Sequence, residues 1–283
     1  MKKMKILDGK KIAQEIIENI KKKTDESGVA LKLAFIQVGK SHSGEGYLKQ
    51  KKKACELAGI RFELLGFKES VKENVLIAEI RRLNKKRDIS GIIVQLPLPS
   101  PSPIDTQAVL DAVNSQKDPD SLSQNRFAKF SAGRSIIMPP VVSAIDHLFS
   151  RYRIDIKGKK VVVIGSGRLV GRPLAMWLLN NDATYSVLNT STPKISTFTK
   201  IADIIITGAG QPGLITGRMV KGGVIVIDVG SGYKNGKISG DADWETVSKK
   251  ARYITPVPGG IGPLTVACLL ENLTILNQQK EER

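Results

Sequence analysis

The sequence has two cysteines in 283 residues, Cys55 and Cys268, and neither belongs to a C-x-x-C pair. Thiols so few and so far apart cannot build a disulfide framework, and they leave structural zinc or dithiol redox chemistry without a ligand set. There are also just two histidines, His42 and His147, with no cluster of metal-ligating residues beside either, so no metal is assigned. No apolar run approaches the ~18 residues of a membrane span. The N-terminus, MKKMKILDGKK, turns polar before a signal-peptide core can form, so a cytoplasmic protein without membrane partners is expected. Internal repeats and low-complexity segments are missing too.

Acidic residues are in deficit, 27 against 44 Lys+Arg, for a formal net charge of +17. A nucleic-acid partner would call for a basic arm or stripe. Here the excess is even, +9 over residues 1–150 and +8 over 151–283. The basic runs at 21–23, 51–53 and 85–87 are short, and two of them end amphipathic stretches, where cations favour a helix C-terminus. No nucleic-acid partner is expected, although such a surface can attract an anionic small molecule.

The balance of 41% hydrophobic and 25% charged residues is that of a globular protein, and the length suits two domains. Ile12, Ile16, Ile17 and Ile20 recur at helical spacing. Residues 31–38 then read as a strand, 47–58 as a helix, 61–67 as a strand, 74–83 as a helix and 91–95 as a short buried strand. This alternation predicts a parallel sheet covered by helices. The four prolines of 97–103 exclude helix and central strand there, so a rigid loop follows the strand's carboxyl end. Periodicity is lost from 114 to 138.

A helix near 141–149 opens a second α/β series, with strands at 160–164, 184–188, 203–207 and 224–229 and a helix at 171–181. The order is that of a Rossmann-type domain. Asn235-Gly236 suits a hairpin turn, and an apolar helix at 263–277 closes the chain. The expected fold class is therefore α/β with two domains, 1–138 and a Rossmann-type parallel-sheet domain at 139–262. The C-terminal helix, 263–283, is expected to pack back on the first.

Gly165, Ser166, Gly167 and Arg168 follow a buried strand, and Gly171 opens a helix. Such glycines allow a tight turn and let backbone N–H groups reach a pyrophosphate at the helix N-terminus. The spacing G-x-G-x-x-x-G is one residue longer than the usual fingerprint. At the end of the next strand an NAD enzyme places a carboxylate on the ribose 2′-hydroxyl. Here that end reads Asn189-Thr190-Ser191-Thr192, and Arg168 and Lys194 add positive charge, which favours NADP as cofactor. Two look-alikes are set aside. Gly39-Lys40-Ser41 lacks the first glycine of a P-loop, since Ala34 stands there, and Asn272-Leu273-Thr274 reads as a helix detail rather than a glycosylation site.

As a set the motifs resemble the bifunctional methylenetetrahydrofolate dehydrogenase/methenyltetrahydrofolate cyclohydrolase family. The resemblance is carried by Tyr47-Leu48-Lys49-Gln50-Lys51, Gln95-Leu96-Pro97-Leu98-Pro99 and Lys117-Asp118-Pro119-Asp120 in the first half. In the second half it is carried by Val170-Gly171-Arg172-Pro173, Asp228-Val229-Gly230 and the string from Ile254 to Pro263. It covers essentially the whole chain, in order. It implies a folate site in a cleft between the domains, tetrahydrofolate derivatives as substrates and a homodimer. The implied catalytic residues are Lys51, Tyr47, Gln95 and Asp120. Tyr47, Val94, Leu96, Pro258, Gly259 and Gly260 would contact substrate, and Gly165, Ser166, Gly167, Arg168, Thr190 and Ser231 would contact NADP.

The chemistry of these residues fits. Tyr47 and Lys51 are four apart on a helix, hence on one face. A tyrosine ring can stack on the flat pterin, and a desolvated lysine can carry a proton. Gln95 can hold the lysine amine, and Asp120 offers two acceptors to the pterin's amino-pyrimidine edge. The chain also departs from the family pattern. Pro139-Pro140-Val141-Val142-Ser143-Ala144 replaces a P-C-T-P-x-G string and removes small polar groups from the expected substrate-side lining. Pro119 and Ser121 replace the usual valine and glycine around Asp120, Gly44 stands for a serine, and Ser166, Gly167 and Ser231 differ from common cofactor-side residues. Three other readings share parts of the pattern: a dehydrogenase without cyclohydrolase activity, another two-domain NADP enzyme such as a shikimate dehydrogenase, and a non-catalytic nucleic-acid-binding protein. The second would not need the Q-L-P-L-P string.

Overall fold

A computed structural model describes residues 4–39, 42–99, 104–234 and 236–281. In chain order the first elements are β1 (Lys5–Ile6), α1 (Gly9–Ser27), β2 (Lys32–Val38), α2 (His42–Leu57), β3 (Arg61–Phe67), α3 (Glu73–Lys85), β4 (Gly91–Val94), α4 (Thr106–Asp111), α5 (Gln124–Ser131) and α6 (Pro140–Tyr152). They are followed by β5 (Lys160–Ile164), α7 (Gly171–Asn180), β6 (Thr184–Leu188), α8 (Ser196–Thr199), β7 (Ile204–Thr207), β8 (Ile225–Asp228), β9 (Gly232–Lys234), β10 (Lys237–Ser239), α9 (Trp244–Val247), β11 (Tyr253–Ile254) and α10 (Ile261–Glu281). The chain divides into two compact units, Gln14–Pro140 with Val266–Arg283, and Met1–Ala13 with Val141–Thr265.

The first unit is built on a three-stranded parallel sheet in the order β3-β2-β4. Central β2 is buried along Leu33, Ala34, Phe35 and Ile36, which is why it reads as a continuous apolar run rather than an alternating one. Leu76, Ile80 and Leu83 recur at helical spacing on α3 and pack with Ile36, Ile92 and Val94 in one core. The lower part of α10 belongs to this unit, and Leu273 packs where β4 begins. A Cβ on Gly91 would stand 2.5 Å from the Leu273 side chain, so any larger residue would make that leucine shift. The stretch read as aperiodic holds a helix after all, α5, too short to show a period. Its α4 neighbour starts at Asp105, whose carboxylate accepts from the N–H groups of Gln107 and Ala108.

The second unit is a six-stranded, wholly parallel sheet in the order β1-β11-β8-β7-β5-β6. The chain leaves β5 toward β6 on one side and returns to β7 on the other, so the strand order reverses at the carboxyl end of β5, where α/β sheets place ligands. The N-terminal residues, read from sequence with the first domain, fall in this unit. Their β1 adds to the sheet through Lys5 opposite Tyr253 and Ile6 opposite Ile254. Strands of two residues are too short for any periodicity to announce them. β9 and β10 form the expected antiparallel hairpin. Asn235 of its turn lies outside the described residues, while Gly236 has φ of +72°, a conformation that favours glycine. No helix among the described residues is long and apolar enough to cross a membrane.

Candidate active site

In the first unit, α2 lies against the parallel sheet and delivers Lys51 above the end of β4. The Lys51 amine donates to Gln95 Oε1 at 2.9 Å, and Gln95 Nε2 donates to the carbonyl of Leu96 at 2.7 Å. The second bond fixes which end of the amide meets the lysine. Nζ also sits 5.5 Å from the centre of the Phe35 ring, which itself stacks on Phe62 with centroids 4.5 Å apart. Burial lowers the Lys51 pKa from its ordinary value, against the opposing pull of the Asp120 carboxylate. An amine in this setting gives up its proton more readily than a solvated lysine. Cys55, one helical turn on, is buried and pushed up to about 12, so it stays a protonated thiol.

Asp118 and Asp120 take different roles. Asp118 is buried, and its carboxylate accepts from Leu122 N–H at 3.3 Å, Ser123 N–H at 2.9 Å and the Ser123 hydroxyl at 2.7 Å. It organises its own loop. Asp120 is the carboxylate that faces the Lys51 charge, and burial pushes its pKa up to about 6 despite that charge. The carbonyl of Pro119 accepts a hydrogen bond from Asn272 Nδ2 on α10 at 2.9 Å. Lys117 is also buried, its amine donating to the carbonyls of Asn84 and Lys86 and closing the end of α3.

Val94 is 3% exposed and its side chain belongs to the core, because strand alternation turns it away from Gln95; it offers no side chain to a substrate. Leu96 is half-buried against the same core. The side chain of Tyr47 lies outside the described residues, although its backbone is within α2. The altered string that opens α6 does not line an open surface: Val141, Val142, Ser143 and Ala144 are all buried.

In the second unit, β5 runs into the glycine turn. Gly165 has φ of +102°, and a Cβ there would stand 2.6 Å from the Gly208 carbonyl. A Cβ on Gly171 would lie 1.9 Å from the Gly165 carbonyl, so both glycines are dictated by backbone approach. Around Gly167 the space is open, and Ser166 is exposed while Arg168 is half-buried. No side chain caps the start of α7; in its first turn Arg172 N–H donates to the Gly167 carbonyl and Leu174 N–H to the Val170 carbonyl, each at 3.1 Å, while Pro173 has no N–H. After β6, Ser191 N–H donates to Asn189 Oδ1, forming a turn that exposes Thr190 and Ser191 and carries no carboxylate. These features fit a phosphorylated ribose and pyrophosphate.

Sequence reasoning missed the pair Asp228 and Asp241 at the same sheet end. Asp228 accepts from the N–H groups of Gly230, Asp241 and Ala242; Asp241 accepts from Thr207 Oγ1 and from the N–H groups of Ala209 and Gln211. Burial is the main reason that Asp228 is pushed up to about 7, with Asp241 adding to it. Together they tie down the loops that follow β7 and β10. A cavity of about 440 Å³ opens beside them, lined by Asp228, Gly240, Trp244, Thr255 and Pro256 among others; the glycine turn is not part of its wall. Ser231 is exposed directly after this network. In the loop after β11, Pro258 is exposed and Gly259 has φ of +107°. Gly260 is buried beneath them, its Cα side taken up by Thr255 and Pro256.

A nucleotide-type parallel sheet with a glycine turn at its switch point, joined to a unit that holds a partly buried amine on an amide oxygen and under the pull of a carboxylate, defines a two-domain α/β enzyme of the dinucleotide-dependent class. The chain belongs to the tetrahydrofolate dehydrogenase/cyclohydrolase family: residues 7–120 match its catalytic domain and residues 139–281 its NAD(P)-binding domain. It is 44% identical over 271 residues to the bifunctional protein FolD of Hydrogenobaculum, covering 95% of this chain and 97% of that one. It is 42% identical over 273 residues to that of Nautilia profundicola, covering 95% of each. Among solved structures it is similar to the bifunctional FolD of Campylobacter jejuni, with 41% identity, a TM-score of 0.93 and 98% and 99% of the two chains covered. It is likewise similar to the Trypanosoma brucei dehydrogenase-cyclohydrolase solved with NADP and an inhibitor, with 33% identity, a TM-score of 0.94 and complete coverage of both chains.

Proposed function

We propose that this chain oxidises 5,10-methylenetetrahydrofolate to 5,10-methenyltetrahydrofolate with NADP and hydrolyses the product to 10-formyltetrahydrofolate, with Lys51 as the proton carrier of the hydrolysis. The observation that carries the assignment of Lys51 is the desolvated amine held at 2.9 Å by Gln95 and faced by Asp120. NADP, when bound, accepts the hydride from the methylene carbon. The residues suited to hold it are the glycine turn from Gly165 to Arg168, with Thr190, Ser191 and Ser231 on the ribose side. The substrate cation left behind is stabilised by its own two nitrogens, so in the first step the protein aligns donor and acceptor.

In the second step water adds to the methenyl carbon and Lys51, as the free amine, takes its proton. As the bond from that carbon to N5 breaks, the lysine ammonium returns a proton to N5, and the remaining proton leaves to solvent. General acid–base work of this kind contributes ~10²–10⁴-fold. Gln95 keeps the amine in place, and Asp120 accepts from the amino-pyrimidine edge of the pterin. Tyr47 is the residue suited to stack on that ring, while Leu96, Pro258 and Gly259 supply further contacts.

The protein acts in the cytoplasm, in keeping with its two buried cysteines, which form no disulfide. It works as a homodimer; exposed Leu179, Ile201, Tyr233 and Trp244 on the second unit are the apolar surface such an assembly can cover, and light scattering tests it. The deciding experiment for the chemistry is Lys51→Met: hydrolysis of methenyltetrahydrofolate falls to the uncatalysed rate while NADP still binds. Hydrolysis well above the uncatalysed rate in that variant overturns the assignment of Lys51.

A further inference from the structure

Asn272 is 3% exposed and lies on the apolar stripe of α10 formed by Leu269, Leu273 and Leu276. A buried amide on such a stripe is costly unless its hydrogens are used. Both are used on distant segments: Nδ2 donates to the Pro119 carbonyl at 2.9 Å and to the Met138 carbonyl at 2.8 Å. Pro119 directly precedes Asp120. On the other side of Asp120, Ser121 has φ of +58°, and its hydroxyl is buried with no hydrogen-bond partner among the described residues. A left-handed conformation is disfavoured for a residue that carries a side chain. Such a residue persists only where its surroundings over-determine it. The surroundings here are the Asp118 carboxylate, which holds residues 122 and 123, and Asn272, which holds residue 119.

We propose that Asn272 is a positioning residue for the reaction: by clamping the Pro119 carbonyl it keeps the Asp120 carboxyl beside Lys51 against the backbone strain at Ser121. This rests on the reading of Lys51 and Asp120 given above. The same strain offers a test that a merely structural asparagine would not pass. Once the clamp is removed, strain at Ser121 drives Asp120 away from the amine, and a glycine at that position removes the drive.

The experiment measures methenyltetrahydrofolate hydrolysis from pH 5.5 to 9, with melting temperatures, for Asn272→Ala, Ser121→Gly, their combination, Asn277→Ala and Lys51→Met. Asn277 is the control, since it lies on the same helix and bonds the Ser90 and Leu273 carbonyls instead. Asn272→Ala is expected to weaken folate binding about tenfold. It should also move the pH limb reporting Lys51 to lower pH, because the amine loses the carboxylate that raises its proton affinity. Adding Ser121→Gly restores both several-fold. Asn277→Ala lowers the melting temperature without moving the limb. Should Asn272→Ala fail to fold, Asn272→Ser, which keeps one donor, carries the same comparison. If hydrolysis is lost in Lys51→Met but the Asn272 variants match Asn277→Ala in pH profile and folate affinity, or Ser121→Gly restores nothing, the role of Asn272 is overturned. If Lys51→Met still hydrolyses, the underlying reading fails instead.

Discussion

Replacing Asp120 by asparagine should make the protein more stable and less active, and the two effects should separate with pH. Burial raises the Asp120 carboxyl from an ordinary 3.8 to about 6 in the folded chain. Because the folded state holds this proton more tightly than the unfolded state, the group's contribution to stability is fully present below pH ~4 and is lost as pH rises to ~6. Each tenfold in proton affinity is worth ~1.4 kcal/mol, so ionised Asp120 costs the native state about 3 kcal/mol at neutral pH. Asn keeps the shape without the charge. Urea unfolding of Asp120→Asn, followed by a probe in the unit that contains it, should show a gain of ~1–3 kcal/mol at pH 8 that shrinks towards pH 4.5. Folate affinity should fall at least tenfold at pH 8, where the carboxyl is ionised, since a charged hydrogen bond contributes ~1.5–3 kcal/mol, and by less at pH 4.5, where it is mostly protonated. Equal destabilisation at both pH values would refute the reasoning, because it would mean that the carboxylate is well satisfied where it stands.

Other outcomes follow from the same geometry. Asp118→Ala strands the N–H groups of Leu122 and Ser123, so it should cost about 2 kcal/mol of stability as well as folate affinity, whereas Asp120→Ala should cost affinity alone; chemical denaturation and ligand titration of both variants separate the roles. Gly171→Ala puts a Cβ 1.9 Å from the Gly165 carbonyl and should abolish NADP binding while folate binding survives, read by titrating each ligand separately. With Thr190 and Ser191 exposed after β6 and no carboxylate there, kcat/KM should be higher with NADP than with NAD; an equal or reversed ratio counts against the ribose-side assignment.

Much of the fold was legible because its strands are apolar runs or its helices long and amphipathic. The strands at 61–67, 160–164 and 184–188 have the boundaries read from sequence. α1, α3 and α7 announce themselves by helical spacing. What stayed hidden was short or held by distant partners: β1 and β11 are two residues each and exist only by pairing with one another and with β8. α5 is eight residues within a stretch without visible period. Among site residues, the Lys51 to Gln95 hydrogen bond could be anticipated from a helix face and a strand end, since each position is set by local structure. That Val94 is core and Gly260 buried could not, because both depend on what packs above them.

Asn272 shows the limit from the other direction. Its place on the stripe with Leu269, Leu273 and Leu276 was visible in the sequence and signals that a buried amide needs partners, yet it reads as a mere helix detail until the partners are known. They lie 153 and 134 residues away in the chain. The Asp228 and Asp241 carboxylates are similar, each spending its oxygens on N–H groups from loops that sequence spacing does not connect. The amino-acid sequence by itself determined the alternation of strands and helices and the glycine turn, because these depend on periodicity and backbone freedom, while the groups suited to folate chemistry were named by the family resemblance of its motifs. Only the tertiary structure decided which carboxylate organises a loop and which stands beside the lysine, because burial, proton affinity and hydrogen-bond partnership are set by neighbours that the chain brings together from far apart.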